Sequence, residues 1–260
     1  LLGPAEGETH DVDQRALDAL AVADILSLDG EQHLRIRRSI TSRFSVKAAR
    51  GRREEINGFV TEALDDFLDG PNPGNLTADF ATPISVRSHC LALGVPDSHV
   101  ALFAETFVQP TTTQRKFEVI RELIEVVRAN PGENVLSDLL ASDLSEAEVE
   151  GLGWVLSVSG RDSVAYMIAM SIFTLLRHPD QWAKLKREPE LLRGAIEELV
   201  RYNTMFLNLF SRTAREDLEI EGVSVAKGQS VVVSAVGANR DPERFENPDT
   251  FDITRDAAGH

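Results

Sequence analysis

The stretch "SVSGRDSVA" sets Ser159, Asp162 and Ser163 at i, i+3 and i+4, which on a helix is one face. A carboxylate and a hydroxyl so placed can relay protons to a bound reactant. Gly160 lies between them, where it costs about 1 kcal/mol against Ala and leaves room for something close to the backbone. The same residues also fit a helix bend whose polar groups satisfy one another. In "EELVRY", Glu198 and Arg201 stand three apart and can pair or jointly grip a third group. A buried Glu198 would need Arg201 and a second guanidinium, and Arg255 in "FDITR" lies downstream.

Charge is the next signal. The chain carries a formal charge of −15 over 260 residues, which argues against general affinity for nucleic acid. One block runs the other way: between His33 and Arg53 there are eight Lys or Arg and no Asp or Glu. Such a block either faces something anionic or is a solvated helix face. The single cysteine, Cys90, excludes an internal disulfide framework and suits a reducing compartment. The six His are too scattered to suggest a metal cluster, and no phosphate-binding glycine loop, HExxH or nucleophile elbow is present.

The elements that must position these residues are mostly helical. "ARGRREEINGFVTEALDDFLDG", "LTADFATPISVRSHCLALGVP" and "QRKFEVIRELIEVVRANPG" carry apolar residues at helical spacing and end at Gly or Asn-Pro-Gly. From the capping box at Ser145 and Glu148 to the stop at Pro179, the pattern predicts one buried helix of about thirty residues, roughly 45 Å long. Two more helices follow, each with Pro near its start. The period then changes to alternation, and "DLEIEGVSVAKGQSVVVSAV" reads as a hairpin or small sheet turning at Gly222 and Gly228. Residues 1–24 are weakly patterned. The closing "GANRDPERFENPDTFDITRDAAGH" mixes Phe245, Phe251 and Ile253 with charge, which no solvated tail needs.

Taken in order, these segments resemble the cytochrome P-450 family of haem-thiolate monooxygenases, in its bacterial, soluble branch. "GEQHLRIRR" resembles the family's propionate-binding helix, "SGRDS" its oxygen-activating motif, "EELVR" its ExxR pair, and "FENPDTFDITR" its meander. The resemblance implies a mainly α fold with a small β region, one P-450 domain over 1–260 lacking parts of both ends, and haem b as cofactor. It implies that His33, Arg37, Arg212 and His260 hold the propionates, and that Glu198, Arg201 and Arg255 form a structural triad. Gly160, Asp162 and Ser163 would serve oxygen activation, with Ser163 standing where the family commonly has Thr and Arg161 able to pair with the acid instead. Met205, Phe206, Leu207 and Asn208 lie where the family lines its substrate pocket, a stretch that also suits ordinary core packing.

Cys90, in an apolar helical context, is read as a structural cysteine. The resemblance places the ligand cysteine in a loop after the position of His260, so no metal ligand is expected among these 260 residues. The implied activity is oxidation, most simply hydroxylation, of a small and largely apolar molecule in secondary metabolism. Electrons would come through a ferredoxin or flavodoxin docking near the basic 33–53 segment, in a monomeric cytoplasmic protein with no membrane contact. The alternative that the resemblance allows is a haem-free homologue acting as auxiliary partner of a glycosyltransferase.

Overall fold

The computed structural model describes residues 12–260, apart from 24 and 27. Residues 1–11 of the weakly patterned start lie outside the described residues. Two compact units divide the chain, one running to Ala165 and the other from Tyr166 to His260.

The first unit is helical. Its helices are α1 (Gln14–Ala23), α2 (Gly30–Thr41), α3 (Val46–Gly51), α4 (Arg53–Asp69), α5 (Thr82–Leu93), α6 (Asp97–Val108), α7 (Thr113–Ala129), α8 (Val135–Ala141) and α9 (Glu146–Ser159). Their ends follow local chemistry. Gly94 takes φ 95° to close α5, and Thr112 and Asn134 cap α7 and α8 by accepting from backbone N–H groups. The capping box of Ser145 and Glu148 opens α9 with both reciprocal bonds made.

Helix α9 is the centre of this unit, buried over Val149–Val155. It lies so close to α1 that a Cβ on Gly151 would come 2.3 Å from the Ala19 carbonyl oxygen. On the other side, Trp154 stacks on Phe117 of α7 with ring centroids 5.6 Å apart, a contact worth about 1 kcal/mol beyond its buried area.

The single long helix expected from the sequence is two helices. Helix α9 stops at Ser159, and α10 (Asp162–Arg177) begins after a turn at Gly160–Arg161. Gly160 N–H still reaches Leu156 O at 3.2 Å, and the next ladder bond is Ala165 N–H to Arg161 O. Nor is the pattern buried throughout, since Val164, Phe173 and Leu176 of α10 are exposed. Apolar periodicity continues across the turn, which is why sequence pattern alone joins the two.

The second unit takes the rest of α10, then α11 (Pro179–Arg187), α12 (Leu192–Asn203) and, after the strands, α13 (Ala235–Asn239). Its four short strands are β1 (Arg212–Thr213), β2 (Leu218–Ile220), β3 (Val223–Val225) and β4 (Ser230–Val231). Antiparallel β2 and β3 pair Leu218 with Val225 and Ile220 with Val223. The connection puts both Glu221 and Gly222 at positive φ, the two-residue turn whose twist matches its strands. Strands β1 and β4 form the other pair. The strand-like run "SVVVSAV" is strand only at Ser230–Val231, because Ser234 caps α13 by accepting from Gly237 N–H. The closing segment is packed as its aromatics require: Phe245, Phe251 and Ile253 are buried, the last two with Leu175, Leu185, Ala195 and Leu199.

Candidate functional site

In the second unit, Glu198 and Arg201 point from one face of α12 and are both fully buried. Arg201 forks onto the carboxylate, Nε to Oε2 at 2.7 Å and an Nη to Oε1 at 2.9 Å. Its other Nη donates to the carbonyls of Asn239 and Pro248, and its plane lies 5.1 Å from the Phe245 ring centroid. Arg255 approaches Glu198 Oε1 at 3.3 Å and donates to the carbonyls of Glu246, Asn247 and Thr250. Asp252 N–H fills the same carboxylate at 3.1 Å. A buried carboxylate is tolerated only when its lone pairs are met by such donors, so the meander is tied to α12 through this one group. The three residues singled out from the sequence therefore meet.

In the first unit, the acid of "SGRDS" stands at the first position of α10 and is exposed, while Ser159 is the last residue of α9. They do not share one helical face, because the break intervenes. Arg161, which the sequence allowed as a partner, donates to Asp162 Oδ1 at 2.5 Å. Ser163 is half-buried in the first turn of α10. Gly160 does have something against its backbone: a Cβ there would lie 2.0 Å from Cε1 of His89 on α5. Burial pulls the pKa of the His89 imidazole down to about 4, opposed by the nearby Leu156 backbone and helped by the Arg161 charge. Ser85, one turn earlier on α5, donates its hydroxyl to the Arg161 carbonyl. Neither α5 residue stood out in the sequence, although their i, i+4 spacing was readable.

The residues expected to hold propionates have suitable donors. On α2, His33 is half-buried and Arg37 exposed, one turn apart beside the buried stripe of Ile36 and Ile40. Arg37 and, on β1, Arg212 offer exposed guanidinium groups with no side-chain partner among the described residues. His260 sits 3.6 Å from Glu197 and bonds the Ala257 carbonyl. Within the basic block, Arg35 pairs with Glu148 and Arg43 grips Asp138 through two nitrogens, so these two hold α2 and the turn after it to the rest of the unit. Cys90 is buried, and burial pushes its thiol up to about 12, which is unsuited to a thiolate ligand. The exposed guanidinium groups of Arg37 and Arg212 are donors of the kind that haem propionates would need, and Cys90, the one cysteine, is unsuited to serve as an axial thiolate.

Met205 is half-buried and Phe206, Leu207 and Asn208 are exposed, in a segment that bridges to residues 233–236 through Leu209 N–H and Val236 N–H. Sequence reasoning missed a further buried carboxylate, Glu150 on α9, held by Arg15 at 2.6 Å and Arg121 at 2.6 Å. Asp13 extends that cluster with two bonds from Arg121.

The Cytochrome P450 family model matches residues 101–255. Cytochrome P450-SU2 of Streptomyces griseolus is 36% identical over 247 residues, covering 90% of this chain and 61% of that protein. The chain belongs to the cytochrome P450 family. Nocardicin C N-oxygenase of Nocardia uniformis subsp. tsuyamanensis is 33% identical over 260 residues, 94% of this chain and 65% of that protein. Among solved structures, CYP105P2 of Streptomyces peucetius, in complex with a biphenyl compound, matches with TM-score 0.84 and 30% identity over 92% of this chain and 65% of that one. The chain spans about three fifths of the length of the curated relatives it matches. These matches give the haem-free auxiliary reading no support. No helix among the described residues is long and apolar enough to cross a membrane.

Proposed function

We propose that this chain is the larger part of a haem-dependent monooxygenase that oxidises, most simply hydroxylates, a small and largely apolar metabolite. The observation that carries the reading is the interrupted helix at Gly160–Arg161, with a carboxylate and a hydroxyl at the head of α10, in a chain of the P450 family. Bound haem would supply reductive activation of dioxygen. His33, Arg37, Arg212 and His260 would hold its propionates by charge-assisted bonds, the two arginines having no competing partner among the described residues.

Asp162 would take protons from solvent, which its exposure permits, and Ser163 would hand them inward through its hydroxyl. The Arg161 bond occupies Asp162 Oδ1, so Oδ2 is the oxygen available for proton transfer. Ser keeps the hydroxyl that Thr would offer but not the methyl that fixes its rotamer. Glu198, Arg201 and Arg255 touch no reactant in this reading and keep the meander in place. The exposed apolar side chains of Phe206 and Leu207 support a greasy substrate, with Asn208 orienting a polar group. The exposed Arg38, Lys47, Arg50 and Arg53 suit steering of an acidic ferredoxin or flavodoxin in the cytoplasm.

A carbon monoxide difference spectrum of the reduced protein, made from the whole natural gene, tests this. A thiolate-type Soret band is expected. Purification without haem, together with a co-purifying glycosyltransferase, overturns it in favour of the auxiliary reading.

A further inference from the structure

The contact between α5 and the α9–α10 turn joins close packing of one ring to one side-chain hydrogen bond. His89 lays its imidazole on Gly160, with Cε1, Nδ1 and Nε2 at 2.0, 2.4 and 3.0 Å from where a Cβ would be. Its Nε2 is buried without a hydrogen-bond partner, and so are Ser157 Oγ near the end of α9 and Arg161 Nε in the turn after it. Buried polar atoms are nearly always paired, so a phenyl ring would fill this space at less cost. What the ring does there is occupy the space that a side chain at position 160 would need. One turn away on the same face of α5, the Ser85 hydroxyl donates to the Arg161 carbonyl at 2.5 Å.

Leu156 and Arg161 are the carbonyls on either side of the interruption. Between Gly160 N–H on Leu156 O and Ala165 N–H on Arg161 O, the helical ladder makes no bond. A side chain inserted against the ladder is one of the recognised causes of a helix interruption. We propose that Ser85 and His89 form a brace on α5 that keeps α9 and α10 from joining into one helix, and thereby positions Arg161 and Asp162. Gly160 is required because any Cβ would occupy the place of the ring. His89 and Ser85 are positioning residues, since neither touches Asp162 or Ser163. The catalytic consequence rests on the monooxygenase reading; the brace itself does not.

The test is amide hydrogen exchange at residues 161–164. They lack ladder bonds in the braced chain and should exchange fast. In the His89→Ala/Gly160→Ala double variant the helix can close, and these amides should slow at least tenfold. His89→Phe keeps the ring's bulk on Gly160 and should leave them fast. Unchanged exchange in the double variant would overturn the brace. Melting gives a second arm: Gly160→Ala alone must lower Tm, and adding His89→Ala must restore most of the loss. Equal loss in the single and double variants, including failure of both to fold, counts against the proposal. Both readouts need no bound group. Product formed per reductant consumed, measured on the same double variant, should fall if the turn positions the proton relay. A monooxygenase with altered exchange but unchanged coupling would separate the brace from the catalytic reading.

Discussion

Among the described residues, each unit buries one carboxylate completely and holds it with two arginines, yet the two clusters are built differently. Glu198 is gripped by Arg201, itself fully buried and tied to two carbonyls, and by Arg255, tied to three. Glu150 is gripped by Arg121, one-fifth exposed, and by Arg15, mostly in solvent. The first cluster is a mostly buried network in which every guanidinium nitrogen is used. The second is a buried acid reached from the surface by side chains that water can partly replace. Burial of the cations, rather than the number of ion pairs, should therefore decide what each cluster contributes.

The largest effect should come from Arg201→Leu, which leaves Glu198 buried with only Arg255 and one backbone donor. A loss of about 3–5 kcal/mol is expected in urea denaturation of the second unit's transition. A loss under about 1 kcal/mol would mean that water enters the cluster, and the contrast with Glu150 would collapse.

The next effect must be separated before the other cluster can be read. His89 is neutral in the fold, with its value lowered to about 4 from an ordinary 6.5. The unfolded chain binds its proton first as pH falls, so stability is present above about 6.5 and is lost on descending towards 4. The loss is of order 3 kcal/mol. His89→Phe should flatten this limb of a pH-dependent melting curve, and an unchanged curve would show that the ring already reaches solvent.

Arg121→Ala should cost about 1–2 kcal/mol, less than Arg201→Leu because Arg15 and water remain for Glu150. Smallest is Asp13. Hydrogen bonding from Arg121 holds its carboxyl well below the ordinary value, so its contribution is present above that value and fades as the carboxyl is protonated in acid. The group is two-fifths exposed, and screening limits the effect to well under about 1 kcal/mol. In the His89→Phe background, Asp13→Asn should remove that residual acid slope, and 0.5 M salt should weaken the Glu150 cluster while leaving the Glu198 cluster unchanged. Equal salt sensitivity of the two would break the comparison.

The same contrast explains what was legible in the sequence. Glu198 and Arg201 are three residues apart on one helix, a spacing that can be read directly, and Arg255 follows in a segment whose aromatics announce burial. Glu150 meets Arg15 and Arg121 only after α1, α7 and α9 have packed, across 135 and 29 residues, and no local pattern encodes that. The helix starts and stops were legible because Gly94, Ser145 and Pro179 act on their own neighbours. The interruption at Gly160 was not, because apolar spacing continues through it and its cause lies on α5, more than seventy residues away. His89 and Ser85 were within reach of a reading that asked which polar pairs on an apolar helix share a face.

The thiol of Cys90 offers a use that follows from its place in the first unit. It is the only sulfhydryl in the sequence, nearly inaccessible, and almost wholly protonated at neutral pH. Alkylating reagents attack the thiolate and need access to it, so the folded unit should be inert to them. Labelling then proceeds only through molecules that have opened. The native sequence thus contains its own clock for the breathing of the first unit, and no reporter group need be introduced to read it.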